Sequence, residues 1–180
     1  MPFLEPKKMV QQLGIKPGMV VVDLGSGSGV NALALAQLPA RPKVYAIEVQ
    51  KDLLEKSAGE ARLKGLANLE VIWADIEKVG GTKLREDSVD LALLANTLFQ
   101  LTGKYTAALE IKRMLKPGGR LAVVDWSDSF GGTGPAPTQV ITAPAATAIF
   151  REAGFREERT FPAGDHHWGI IFIKPETEPS

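Results

Sequence analysis

A chain of 180 residues with 44% hydrophobic and 23% charged side chains has the size and composition of one globular domain that buries its own core. Its 21 basic and 21 acidic side chains cancel, which excludes the overall positive field that draws nucleic acid or an anionic membrane to a protein. The absence of cysteine excludes disulfides, thiolate metal sites and a cysteine nucleophile together.

Met1-Pro2-Phe3-Leu4 and the residues after it lack the apolar stretch of a leader peptide. No apolar run reaches the length of a membrane span, so the expected location is the cytoplasm. In chain order, Glu5 to Leu13 reads as a short helix ended by Gly14, with a turn at Lys16-Pro17-Gly18. Met19 to Leu24 is a valine-rich run read as a buried strand. A glycine loop follows, then a helix over Val30 to Leu38, a strand over Val44 to Val49, and an amphipathic helix over Asp52 to Lys64 stopped by Gly65. Leu69 to Trp73 and Val89 to Leu94 are the next strands. Lys104 to Leu115 is a helix terminated by Pro117-Gly118-Gly119, and Arg120 to Trp126 is a fifth strand. Lys112, Arg113, Lys116 and Arg120 make a local basic cluster here, read as a solvated face. Ser127 to Pro137 is the longest irregular stretch. A helix over Ala145 to Ala153 then leads to two strands, Phe155 to Phe161 and Trp168 to Ile173, expected to pair antiparallel.

Alternation of this kind predicts a doubly wound, mostly parallel α/β sheet of seven strands with an antiparallel last strand and helices on both faces. Ligands of such sheets lie beyond the carboxyl ends of the strands, where strand order reverses. The chemistry is therefore expected at Asp23 to Gly29, Glu48, Asp75, Asn96 and from Trp126 onward.

The loop Asp23-Leu24-Gly25-Ser26-Gly27-Ser28-Gly29 must turn a strand sharply into a helix, and its alternate glycines let backbone amides approach a ligand. A dinucleotide fingerprint would place its third glycine at position 30. Val30 stands there, so a pyrophosphate is not the favoured guest. With this loop, the chain resembles the class I S-adenosylmethionine-dependent methyltransferases, the small ubiquinone/menaquinone-methyltransferase-like group above all, over about Leu13 to Ile173. The resemblance implies a Rossmann-like fold and S-adenosylmethionine as cofactor. It also implies that Asp23, Gly25, Ser26, Gly27 and Gly29 hold the methionine part; the family often has cysteine where Ser26 stands.

Glu48, with Val49 beside it, ends the second strand some twenty residues past the loop, the place of a carboxylate that accepts hydrogen bonds from both ribose hydroxyls. By the same resemblance Asp75 takes the adenine amino group and Ile76 offers its amide to the ring, although Asp75 is also a good cap for the following turn. The resemblance also implies that Asn96, past the fourth strand, faces cofactor and substrate, often through its backbone carbonyl. Leu115-Lys116-Pro117-Gly118-Gly119 is a frequent signature of the family that redirects the chain and stays clear of ligand. His166 and His167, the only histidines, precede the last strand on the expected cofactor side and are the candidates for orienting or deprotonating an acceptor. Adjacent histidines diverge and lack a third ligand, so no metal is expected.

The expected organisation is one domain, 1–180. A helix and turn occupy 1–18, a cofactor-binding core 19–126, and an acceptor-side segment with the terminal hairpin 127–180. Trp126 and Phe130 with Ser127 to Pro137 form the candidate acceptor wall, as a lid or a flexible connection. The expected reaction is methyl transfer by in-line displacement to a small molecule. Protein or RNA methylation and a non-catalytic cofactor-binding module are the rival readings.

Overall fold

Alternation of strands and helices along the chain decides the layers. The structure, a computed structural model, describes residues Glu5 to Glu176; the outermost parts of the first and last expected spans, 1–4 and 177–180, lie outside the described residues. Five helices are present among these residues: α1 (Pro6–Gln11), α2 (Val30–Ala36), α3 (Lys51–Leu63), α4 (Lys104–Met114) and α5 (Ala143–Glu152). The seven strands are β1 (Val20–Leu24), β2 (Lys43–Glu48), β3 (Leu69–Trp73), β4 (Val89–Ala95), β5 (Leu115–Trp126), β6 (Arg156–Thr160) and β7 (His167–Ile173). They form one sheet in the order β3-β2-β1-β4-β5-β7-β6. β1 to β5 are parallel, while β7 runs antiparallel to both β5 and β6. This is the Rossmann-like, doubly wound sheet expected, with its reversal of strand order between β1 and β4.

Successive strand residues point to opposite faces, and both faces are apolar. Val22, Leu24, Leu94, Val123 and Phe172 pack with Ala108 and Ile111 of α4 and Phe150 of α5. Val21, Leu91, Leu93, Val124 and Ile171 pack with Met9 of α1, Leu35 of α2 and Ala61 of α3. The double burial explains why β1 reads as an unbroken valine run rather than an alternating one. Local signals start the helices: Pro6 opens α1, and the Thr142 hydroxyl accepts from Ala145 N at 3.3 Å to cap the N-terminus of α5.

The chain departs from expectation after α4. The helix stops at Met114, and Leu115 already pairs with Val89 as the first residue of β5. Gly118 and Gly119 are held at the far end of the hairpin: Gly118 N donates to Lys174 O and Lys174 N to Gly119 O, both at 2.8 Å. The Pro-Gly-Gly element is thus a bulged strand start rather than a free turn. Its neighbours carry partners. Arg113 donates to Glu110 at 2.8 Å, Lys116 pairs with Asp90 at 2.8 Å, and Arg120 reaches Gly14 O at 3.3 Å. At the sheet's outer edge, every residue of β6 is exposed.

Candidate functional site

The parallel strands end on one rim, and the loops there enclose a cleft of about 310 Å³. Gly25, Gly27, Glu48, Val49, Asp75 and Ile76 line it. Its wall is completed by residues not singled out in the sequence, among them Gln50, Leu53, Thr97 and Gln100.

Two glycines in the loop are sterically required. Gly25 has φ +66°, and a Cβ there would lie 2.6 Å from Thr97 Cγ2. Gly29, at the N-cap of α2, has φ +86°, and a Cβ would lie 2.1 Å from Ser57 Oγ. Both positions combine a left-handed backbone with close contact across the fold. Gly29 therefore sets how near α2 and α3 approach and does not itself line the cleft.

Glu48 is the electrostatic centre of the cleft. It is 6% exposed. Oε2 accepts from Gly27 N at 2.9 Å, and Oε1 accepts from Val49 N at 2.9 Å and Gln50 N at 3.0 Å. A carboxylate offers about four lone-pair directions, so three are already used and one is open. Simultaneous acceptance from two further hydroxyls requires the Gly27 amide to let go. Beside it, Val49 is 54% exposed. Its carbonyl is fixed by the Trp73 indole N–H at 2.9 Å, and the Lys51 ammonium lies 4.1 Å from the centre of that ring.

Asp75 caps its own turn and lines the cleft. Oδ1 accepts from Glu77 N at 2.9 Å, and Oδ2 lies 3.6 Å from Lys78 Nζ. Ile76 is buried at the same wall.

Asp23, Ser26 and Asn96, expected to touch ligand, do not line the cleft. All three are orphaned instead: Asp23 Oδ2, Ser26 Oγ and Asn96 Oδ1 are buried without a hydrogen-bond partner among the described residues. Burial pushes the Asp23 carboxyl up to about 7, and repulsion from Glu48 acts in the same direction. Asn96 is turned by a left-handed φ of 53°. Its amide donates to Val124 O at 2.8 Å and its carbonyl accepts from Gln100 Nε2, a residue of the cleft wall, at 2.8 Å.

A second group of side chains occupies the same rim at β5 and β7. The antiparallel register sets Trp126 opposite His167, with their rings 4.3 Å apart. His167 is 8% exposed, and neither ring nitrogen has a partner among the described residues. Burial holds its pKa below the ordinary value, so it is a neutral, stacked ring. His166 differs. Its Nδ1 lies 2.8 Å from Asp128 Oδ2, and its ring centre is 3.8 Å from that of Phe130. The segment Ser127 to Pro137 that carries Asp128 and Phe130 is folded into short turns, Phe130–Gly132 and Pro137–Gln139. Asp125, fully buried, joins the two groups: Oδ2 accepts from Phe99 N at 3.1 Å and Oδ1 from Trp126 N at 2.8 Å. Burial lifts its carboxyl to about 6. Among the described residues no three His, Asp or Glu side chains gather as a metal site.

Sequence reasoning missed Thr97, Gln100 and Asp125, and included Asp128 in the segment Ser127 to Pro137 without singling it out. Asp125 and Asp128 flank the predicted end of the fifth strand, which was their only local signal. Thr97 had none, because its role is to lie under Gly25.

The model of a methyltransferase domain family matches residues 15–154. Among curated proteins, the ubiquinone/menaquinone biosynthesis C-methyltransferase of Cupriavidus taiwanensis is 29% identical over 119 residues, covering 66% of this chain and 47% of that protein. The protein of the same name from Francisella philomiragia is 28% identical over 123 residues, covering 67% and 48%. The chain thus spans about half the length of these curated relatives. Among solved structures, a SAM dependent methyltransferase from Aquifex aeolicus superposes with a TM-score of 0.86 at 29% identity, covering 96% of this chain and 90% of that one. The YcgJ protein of Bacillus subtilis, at 16% identity and a TM-score of 0.75 over 96% and 98% of the two chains, shares the fold alone.

Proposed function

Since the chain belongs to the class I S-adenosylmethionine-dependent methyltransferase family, we propose that it moves a methyl group from S-adenosylmethionine to a small-molecule acceptor. The observation that carries this is the cleft itself. A glycine loop, Glu48 and Asp75 stand at the carboxyl ends of β1, β2 and β3 around one space of about 310 Å³.

The residues present fit the cofactor. Glu48 keeps one lone-pair direction for a ribose hydroxyl, Asp75 and the apolar Val49 and Ile76 suit a purine, and Asp23 Oδ2 and Ser26 Oγ, buried and unpartnered in the loop beside the cleft, are the polar atoms left for an amino-acid end. When bound, S-adenosylmethionine supplies an electrophilic methyl on a positively charged sulfur, whose C–S bond breaks with its electron pair staying on sulfur. The chain's task is then to align donor and acceptor and exclude water, effects that contribute roughly 7–11 kcal/mol when geometry is right. The acceptor lies on the side of β5 and β7, making 19–126 the donor-binding part and 127–176 the acceptor part. The curated relatives are named for C-methylation in quinone biosynthesis, which favours an electron-rich ring. Cytoplasmic action fits this chemistry, and no described helix is long and apolar enough to cross a membrane.

Calorimetry with S-adenosylmethionine, S-adenosylhomocysteine and NAD tests the donor. Binding of the first two and not the third is expected. Tight NAD binding without either sulfur ligand would overturn the assignment. A panel of acceptors with labelled methyl donor then identifies the product.

A further inference from the structure

A carboxylate outside the cleft holds one of its walls. Glu110 of α4 is fully buried. Its Oε2 accepts from Gly80 N at 2.6 Å, and its Oε1 from Thr82 N at 3.1 Å and Thr82 Oγ1 at 2.5 Å. Arg113, one turn on, donates Nε to Oε2 and Nη2 to Oε1, both at 2.8 Å, and Nη2 also reaches Leu84 O at 2.8 Å. Burial pushes the Glu110 carboxyl up, but Arg113, Thr82 and the Gly80 amide outweigh it and hold its pKa below the ordinary value. The carboxylate is therefore ionised at neutral pH. A buried ion pair contributes little net stability over an apolar pair of the same shape. What this one adds is a fixed place for the turn at residues 80–82.

That turn leads directly into the cleft. Asp75, Ile76 and Glu77 line it, and residues 74–84 form neither helix nor strand, so anchors elsewhere set their path. One anchor is Glu77, whose Oε1 accepts from Gly103 N at 2.5 Å at the start of α4. The other is Glu110. Between them Gly81 is folded back beneath Asp75. A Cβ added to Gly81 would overlap the Asp75 carbonyl oxygen, and Gly81 N donates to Lys78 O at 2.8 Å. Gly80 and Thr82, which flank Gly81, are the two residues that Glu110 grips. Contact this close passes a shift of the turn on to the Asp75 backbone.

We propose that Glu110 is a positioning residue for recognition of the donor's base: by clamping Gly80 and Thr82 it presses Gly81 against Asp75 and so fixes the Asp75 carboxylate to accept from the adenine amino group. Glu110 itself stays outside the cleft lining. The inference rests on the methyltransferase reading and assigns part of the selectivity for adenine to a side chain that does not touch the ligand.

Calorimetry with S-adenosylhomocysteine and S-inosylhomocysteine, whose base carries an oxo group in place of the amino group, reads this directly. The wild type should favour the adenine ligand about fivefold, the worth of one hydrogen bond. In Glu110→Gln that ratio should fall to within about twofold. Thr82→Val, which removes only the hydroxyl bond, should lower the ratio part of the way. Gly81→Ala, which pushes on Asp75 with Glu110 intact, should lower it as far as Glu110→Gln does. Urea unfolding of each variant separates a general loss of stability from a loss of selectivity. A ratio unchanged in Glu110→Gln, or in Thr82→Val should the first variant not fold, makes the cluster a packing device and overturns the proposal. Equal binding of the two ligands by the wild type overturns it too and leaves the methyltransferase reading standing. Failure of S-adenosylhomocysteine to bind the wild type removes both.

Discussion

The two halves of the ligand-facing rim are built in opposite ways. At β1 to β3 the site is made by the backbone: glycine dihedrals, amides donated to Glu48 and strand ends, with contacts mostly within a few residues or between adjacent parallel strands. At β5 and β7 it is made by side chains that meet from distant parts of the chain, Asp128 with His166 and Trp126 with His167. A backbone site tolerates little change and binds what all members of a fold share. A side-chain site can be rewritten one residue at a time, which suits the part that selects an acceptor.

Substitutions in the two halves should therefore separate cleanly. The largest effect is expected at Gly25→Ala. The new Cβ meets Thr97 at 2.6 Å on a left-handed backbone, and overpacking of this kind costs about 1–3 kcal/mol before strain is added. S-adenosylhomocysteine affinity measured by calorimetry should fall more than ~100-fold, since the loop must move to relieve the clash. Next is Glu48→Gln. It keeps shape but loses charge-assisted acceptance from three amides; affinity should drop roughly 10- to 100-fold, each such bond being worth about 1.5–3 kcal/mol. Glu48→Ala should also lower the unfolding midpoint, because three part-buried hydrogen bonds lose their acceptor.

Asp23 gives a pH signature. Its folded pKa of about 7 lies above the ordinary 3.8. Between those values the native state holds a proton that the unfolded chain has released. Stability should thus be full below about pH 4 for this group and fall as pH rises towards 7, by at most about 1.4 kcal/mol per pH unit. Asp125, lifted to about 6, has the same sign over a narrower window. Urea unfolding at several pH values should show a flatter profile in Asp23→Asn, with a residual slope below pH 6 from Asp125. An unchanged profile would remove Asp23 as its source. Asp75→Ala should weaken S-adenosylhomocysteine less than ~10-fold, because its carboxylate is shared with its own turn. The smallest effect is expected at Asp128→Asn, which should leave that affinity within about twofold. A large loss there would show that the two halves are one site.

The same contrast explains what the sequence made legible. The valine run of β1, the glycine loop, Glu48 at the end of β2 and Asp75 at the end of β3 are local patterns, and each lies where strand–helix alternation puts it. What stayed hidden depends on partners remote in sequence. The helix end at Met114 was set one residue too late because Gly118 and Gly119 are held by Lys174, not by helix termination. The left-handed backbone of Asn96, and its bonds to Val124 and Gln100, likewise had no local signal. Of the two histidines, only the cross-chain pairing with Asp128 distinguishes His166 from its stacked neighbour.

The charged outer strand has a consequence of its own. A sheet of seven strands ends at β6 in a row of amide and carbonyl groups that another strand could extend. In Arg156-Glu157-Glu158-Arg159-Thr160 every residue is exposed, and the register slips between Glu157 and Arg159. A docking strand would have to match mixed charges and a broken ladder at once, so this edge protects the fold against fibre-like growth at high concentration.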